Sequence, residues 1–341
     1  MQITIIIPTK NRSIFVKHQL DYYKFFNFKG RILFLDSSSI NIFKLNQDLI
    51  NQFKNINVTI HHIVGSSFDT FKVALPFIKT KYVLFSGDDD FYIVSSLVSM
   101  IKFMDKSKNY IGVTAKGIQI ETEGKFNEKI RSFNFYNINE YSQNTSSDRL
   151  KEITSNYSTV LFSVLRTNIF KKIVRLTPFS KNMHLIFQSE LLPCFLTVIF
   201  GKLKKINILF LYRFVGHPRV KHQQIDQLFH DSFFNHSYKE SIKIILKKIN
   251  GKISKKKKNY LVKQYFYNYF YFAKKIQSKK FLLKKFIYFF PDLAKKILTK
   301  PLYYQIKEIF IKNNPKLLVN GCPLYKKSYL FLFENIQKNK K

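Results

Sequence analysis

The chain has 341 residues, 45% of them hydrophobic and 17% aromatic, which is enough apolar material for a large packed core and excludes global disorder. Lys+Arg number 58 against 21 Asp+Glu, a net charge of +37 that points to an anionic partner, although a bias towards Lys, Asn, Ile, Phe and Tyr along the whole chain accounts for part of it. Cys194 and Cys322 fit no metal-ligand or disulfide spacing, the N-terminus lacks the basic and long apolar regions of a signal peptide, and no apolar run approaches the ~18 residues of a membrane span.

In chain order, Ile3–Ile7 reads as a buried strand and Ile14–Phe26 as a helix with Ser13 as its N-cap. Strands follow at Arg31–Leu35, Val58–His62, Tyr82–Phe85 and Tyr110–Thr114. Helical periodicity separates them at Asn41–Phe53, at Phe68–Lys79, which sets Phe68, Phe71, Leu75 and Ile78 on one face, and at Phe91–Phe103. This alternation predicts an α/β fold with a mostly parallel sheet and helices on both faces. From Lys116 to Asn144 the pattern loosens into segments that suit antiparallel strands. Tyr157–Arg166 reads as a strand and Thr167–Leu176 as a helix. Asn182–Phe200 is helical, with Pro193 kinking it or starting a second helix, and Ile206–Phe214 is a strand. Residues 222–341 read as successive Lys-rich helices.

Charge divides the chain. Residues 1–219 carry 30 Lys+Arg and 15 Asp+Glu, whereas 220–341 carry 28 and 6. The expected organisation is therefore a catalytic domain at 1–219, split into a ligand-binding half at 1–115 and a second half at 116–219, followed by a basic helical region at 220–341.

In an open α/β sheet, ligands bind beyond the carboxyl ends of the strands. The first strand ends at Pro8-Thr9-Lys10-Asn11-Arg12, the second at Asp36-Ser37-Ser38-Ser39 and the fourth at Gly87-Asp88-Asp89-Asp90. Three adjacent carboxylates repel one another. A hard divalent cation, Mg²⁺ or Mn²⁺, offsets that repulsion and can bridge a diphosphate. Taken alone, "GDDD" is more often a solvated turn. The order of the three strand ends is more specific.

"TIIIPTKNR", "ILFLDSSS" and "YVLFSGDDDF", in that order, resemble the N-terminal half of a family 2 glycosyltransferase with the GT-A fold. The resemblance covers residues 1–115 well and 150–220 weakly. It implies a nucleotide-sugar donor, with Pro8, Thr9 and Asp36 on the nucleoside and Asp88, Asp89 and Asp90 on the ribose and metal. Asn11, Arg12 and Ser37 share those turns as donor-binding candidates. Gly87 stands where the usual motif has its first Asp, which favours Asp90 as metal ligand. Asp88 is a second candidate ligand, and Asp88 or Asp89 would contact the sugar or ribose. Lys72 lies off the Phe68/Phe71/Leu75 face and would reach a phosphate, or be a solvated surface lysine.

An inverting sugar transfer needs a carboxylate to take the acceptor's proton. Residues 153–219 hold one acid, Glu190, with Met183, Phe187 and Cys194 at −7, −3 and +4, so a continuous helix would set it on an apolar face. His217, in "RFVGHPR", stands where some GT-A enzymes bring a His to the metal, between Arg213 and Arg219, which would suit a diphosphate.

The stretch Lys255–Lys275 mixes lysines with Tyr and Phe. It suits either an interfacial contact with anionic lipid or a helical subdomain whose aromatics form core. The expected function is metal-dependent transfer of a sugar from a nucleotide-diphosphate donor to a glycan or lipid-linked acceptor, in surface polysaccharide or glycoconjugate synthesis. The expected place is the cytoplasm, with a peripheral position on the inner face of the membrane. The alternative is a basic nucleic-acid-binding protein without transferase activity. Acids gathered at the ligand edge, and no nucleic-acid-reading module, argue against it.

Overall fold

The computed structural model describes residues 1–63, 69–123, 129–179, 182–215, 232–249, most of 254–269, and 323–338. Its first half follows the alternating pattern. Strands β1 (Ile3–Thr9), β2 (Arg31–Asp36), β3 (Asn57–His62) and β4 (Tyr82–Phe85) alternate with helices α1 (Ser13–Phe25), α2 (Ile40–Asn51) and α3 (Asp69–Ala74). β1 lies between β2 and β4 with both pairings parallel, and β3 extends the sheet beyond β2. Ile3, Ile5, Ile6 and Ile7 are all fully buried, as expected for a parallel strand covered on both faces.

The second half departs from a parallel plan. β5 (Asp90–Tyr92) and α4 (Val94–Lys106) are followed by a long hairpin, β6 (Tyr110–Glu123) with β7 (Lys129–Asn137). Then come α5 (Ser146–Ser155), β8 (Val164–Arg166), α6 (Thr167–Leu176), α7 (Leu192–Phe200) and β9 (Lys202–Val215). The single sheet runs β3-β2-β1-β4-β8-β6-β9-β5, with β7 paired to β6. β4–β8, β8–β6 and β5–β9 are antiparallel, while β6–β9 is parallel and broken by register shifts. The sheet is therefore mixed, with parallel pairing in β3-β2-β1-β4 and again between β6 and β9.

Several elements differ from the sequence pattern. α3 stops at Ala74 because Pro76 lies in the 3₁₀ turn that follows it. Phe91 begins no helix: Asp90–Tyr92 pairs with β9, and the helix starts at Val94. Only Val164–Arg166 of Tyr157–Arg166 is strand, and Val160–Phe162 is a 3₁₀ turn. Ser13 is the first residue of α1 rather than its cap. Arg12 holds the cap position without a side-chain capping bond. Pro193 sits in the first turn of α7, directly after a π-helical turn at Phe187–Leu191.

The boundary expected at 219/220 falls among residues that are not described, and the helices beyond it share the core of the first 219. Phe234, from the helix Ser232–Leu246, stacks on Phe187 at 5.0 Å. Phe266 stacks on Phe195 of α7 at 4.9 Å. The helix Pro323–Lys338 returns to α1, where Phe331 stacks on Phe25 at 4.5 Å and on Tyr22 at 5.8 Å.

Candidate active site

The parallel strands deliver their C-terminal turns to one edge, and hydrogen bonds tie the turns together. Ser37 N donates to the Thr9 carbonyl (2.9 Å), Asn11 N to Ser38 Oγ (2.6 Å) and Ser39 N to Asn11 Oδ1 (3.3 Å). Asn11 has φ 55°, a left-handed conformation that Asn tolerates better than most residues. Asp36 holds the second turn from inside. Ser38 N donates to its Oδ1 (2.8 Å), Asn46 of α2 donates to its Oδ2 (2.7 Å), and the residue is fully buried. The carboxylate expected on a base or ribose is thus enclosed in this structure; Ser37 and Pro8 are half-buried, and Asn11 and Ser39 are exposed members of the edge.

After β4 the chain turns through Ser86–Gly87–Asp88–Asp89 and enters β5 at Asp90. Asp88 points inward. Thr9 Oγ1 donates to its Oδ2 (2.9 Å), and Arg12 donates both to its Oδ1 and to Asp89 Oδ2 (2.9 Å). Gln19 of α1 holds the turn's backbone, donating to the Asp88 carbonyl (2.9 Å) and the Asp90 carbonyl (2.7 Å). Burial first, and then the neighbouring Asp89, push Asp88 up to about 7 and Asp90 up to about 8. For Asp90 the nearby Arg213 opposes that rise.

A divalent cation fits this turn. Asp90 Oδ1 is buried without a hydrogen-bond partner. Asp89 Oδ1 and Asp90 Oδ2 lie 3.1 and 2.9 Å from the point that a Cβ on Gly87 would occupy. An Asp at position 87 would crowd both carboxylates, so the glycine keeps this space open. Both oxygens of Asp88 are already engaged by Thr9 and Arg12, which leaves Asp89 and Asp90 with oxygens to offer. Among the described residues no group of three or more His, Cys, Asp or Glu converges as a metal site. Two carboxylates completed by substrate phosphate and water are a usual set for Mg²⁺. His217 and Arg219 lie outside the described residues.

Across the sheet, Arg213 of β9 stands opposite Asp90 in register. Its guanidinium lies 4.7 Å from the Tyr136 ring and 4.7 Å from the Phe162 ring. Burial opposes its charge, but Tyr136, Asp90 and Glu190 more than offset that cost, and its pKa is raised. Arg213 therefore lies within the field of both the aspartate turn and Glu190, which is 100 residues further along the chain. Glu190 sits in the π-helical turn, half-buried. Tyr157 and Thr159 both donate to its Oε1, at 2.8 and 3.1 Å. Oε2 has no hydrogen-bond partner among the described residues. Tyr269, from the basic aromatic region, packs on Tyr157 at 5.0 Å, and burial first, then Glu190, push its pKa up. Lys72 is not brought to the aspartates. It is exposed on α3, and its ammonium donates to the Phe179 carbonyl at 3.4 Å.

The strand-end rule thus brings Thr9, Asn11, Arg12, Asp88, Asp89 and Asp90 together. It misses Gln19, Tyr136, Thr159 and Phe162. Gln19 had one sequence signal, a polar residue inside the apolar face Phe15/Val16/Leu20/Tyr23. The other three had none, because their partners are distant in sequence: Thr159 meets Glu190, and Tyr136 and Phe162 meet Arg213, only in the folded chain.

No family model matches the sequence, and no curated protein matches it. Solved structures do match in shape. S. aureus TarS 1–349 in complex with UDP-GlcNAc superposes with a TM-score of 0.53 at 13% identity, over 99% of this chain and 91% of that one. The same TarS segment without a named ligand gives 0.51 at 13% identity, over 99% and 91%. A further S. aureus TarS structure gives 0.52 at 13% identity, over 100% of this chain and 55% of the other. The chain shares the fold of these structures, a mixed α/β, GT-A-like fold. The aspartate turn lies where the parallel strands β3-β2-β1-β4 meet the antiparallel β8, and Arg213 and Glu190 approach it from the second half.

Proposed function

We propose that this chain transfers a sugar from a nucleotide-diphosphate donor to a hydroxyl of a glycan or lipid-linked acceptor, with inversion and with a divalent cation. The observation that carries the reading is the open space at Gly87, with Asp89 Oδ1 and Asp90 Oδ2 beside it and Arg213 linking Asp90 to Glu190. The binding of UDP-GlcNAc by TarS supports a nucleotide-sugar as donor. Asp90 and Asp89 would hold Mn²⁺ or Mg²⁺, with Asp89 preferred to Asp88. When bound, the cation offsets charge on the departing diphosphate.

The remaining work falls to the chain. The turns at Thr9–Arg12 and Ser37–Ser39 line the nucleoside's side of the edge. Arg213, held by two aromatic faces, presents donors to the diphosphate oxygens. Glu190 Oε2 takes the acceptor hydroxyl's proton while Tyr157 and Thr159 hold Oε1 in place. The acceptor oxygen bonds to the anomeric carbon as that carbon's bond to the diphosphate breaks. A role in surface polysaccharide or glycoconjugate synthesis, on the cytoplasmic face of an anionic membrane, suits the basic aromatic region. Domain limits of 1–219 and 220–341 are kept as the working division.

Glu190→Gln, assayed against a panel of UDP- and GDP-sugars with Mn²⁺, should lower kcat by about 10²-fold or more and leave donor KM unchanged. Full transfer activity in that variant rules out Glu190 as the base.

A further inference from the structure

Arg12 already places one cation on the acidic turn. Its planar fork bridges two carboxylates, donating to Asp88 Oδ1 and Asp89 Oδ2, and its guanidinium rests 4.0 Å from the centre of the Phe15 ring. The two arms of the bridge differ. The Asp88 side chain is 6% exposed and is held a second time by Thr9, whereas that of Asp89 is 21% exposed and Arg12 itself 31%. The Asp88 arm is anchored, and the Asp89 arm faces the open edge where an incoming ion would arrive. Asp89 is also the residue whose other oxygen borders the space at Gly87.

We propose that Arg12 is a built-in competitor of the divalent cation: it holds Asp89 when the metal is absent, and so sets the metal concentration at which the site fills. The proposal rests on the metal reading above. Arg12 and the cation are like charges contending for one carboxylate, so each weakens the other's hold. The Phe15 ring keeps the guanidinium in place, and loosening that support should act in the same direction as removing the charge.

The test is titration of the full-length chain with Mn²⁺ alone, following the free-Mn²⁺ electron paramagnetic resonance signal. Arg12→Gln should bind Mn²⁺ about tenfold more tightly than the unaltered chain, the scale of one charge-assisted hydrogen bond removed from the competitor. Arg12→Lys, which reaches one carboxylate rather than two, should fall between them. Phe15→Leu should shift binding the same way by a smaller factor. Lys10→Gln removes an exposed charge from the same turn and should change affinity by less than about twofold, since solvent screens it. Equal or weaker binding by Arg12→Gln overturns the proposal, as does a Lys10→Gln effect of the same size. If Arg12→Gln does not fold, Arg12→Lys and Phe15→Leu decide by the same criterion. Asp90→Asn separates the two readings. If it binds Mn²⁺ as well as the unaltered chain does, or if no form binds Mn²⁺, the metal reading fails and this proposal with it. If Asp90→Asn loses binding while the Arg12 variants match the unaltered chain, only the competitor role fails.

Discussion

Asp88 and Asp90 ionise late in the folded chain because burial, and then Asp89, disfavour their charge. Unfolded, both would ionise near the ordinary carboxyl value of 3.8. Between that value and the folded values of about 7 and about 8, the native state holds protons that the unfolded state has lost. Their contribution is therefore complete at acid pH and falls away as pH rises through that window. Melting of metal-free protein, followed by calorimetry from pH 5 to 8, should show a melting temperature that falls with pH. Asp90→Asn should flatten the fall, and an unchanged slope would show that Asp90 is not the group responsible. At this scale the triplet was legible from its position after an apolar run. Its electrostatics were not, because Arg12 and Arg213 reach it from 76 and 123 residues away.

Helix α1 does more than cover the sheet. Gln19 lies on its buried face, one turn after Phe15, and its amide satisfies the carbonyls of Asp88 and Asp90 together. Gln19→Leu keeps similar bulk but removes the side-chain donor to the Asp88 carbonyl and leaves the Asp90 carbonyl with the weaker bond from Ser86 Oγ (3.2 Å). It should cost about 2 kcal/mol in urea unfolding, and should weaken Mn²⁺ binding because the turn is no longer pinned. A loss of stability with unchanged metal affinity would reduce Gln19 to a purely structural part. The helices and parallel strands of this half were readable from periodicity, since each is bounded by turn residues and buried on a regular face. β5 was not. Phe91, Tyr92 and Ile93 suit a strand or the start of a helix equally well, and only pairing with β9 decides between them. Tyr157–Arg166 misled in the same way. Its β-branched and aromatic residues promise a strand, yet Tyr157 and Thr159 turn aside to hold Glu190.

Across the whole molecule, the described part of the basic C-terminal region supplies core on one side, and lipid contact is the proposal for the other. Val262 and Phe266 are buried and Tyr269 packs on Tyr157, which holds Glu190, so one side of the segment is core. Tyr260 and Tyr267 are 65% and 66% exposed, seven residues apart and therefore on one side of a helix, among lysines. Among the described residues no helix is long and apolar enough to cross a membrane. Co-sedimentation with vesicles rich in phosphatidylserine should occur at low salt and weaken as salt rises, and replacing Tyr260 and Tyr267 by Ser should reduce it. No binding at low salt would dismiss the membrane contact and leave the segment as core alone. Composition showed that this region was basic and aromatic, but not that it would complete the surroundings of Glu190.

The proposed role of the edge formed by Thr9–Arg12, Ser37–Ser39 and Asp88–Asp90 is to hold a nucleoside diphosphate. It is tested most directly by the melting temperature of the chain with UDP, GDP and other nucleoside diphosphates, each with and without Mn²⁺. Ligand that binds only the folded state raises the midpoint, by about 2.7 kcal/mol of added stability at a hundredfold excess over Kd. The midpoint should rise with at least one nucleotide, more so when Mn²⁺ is present, and the rise should be abolished in Asp90→Asn. No rise with any nucleotide, together with tight binding of a generic oligonucleotide at physiological salt, would contradict it and favour a nucleic-acid-binding protein built on the +37 charge.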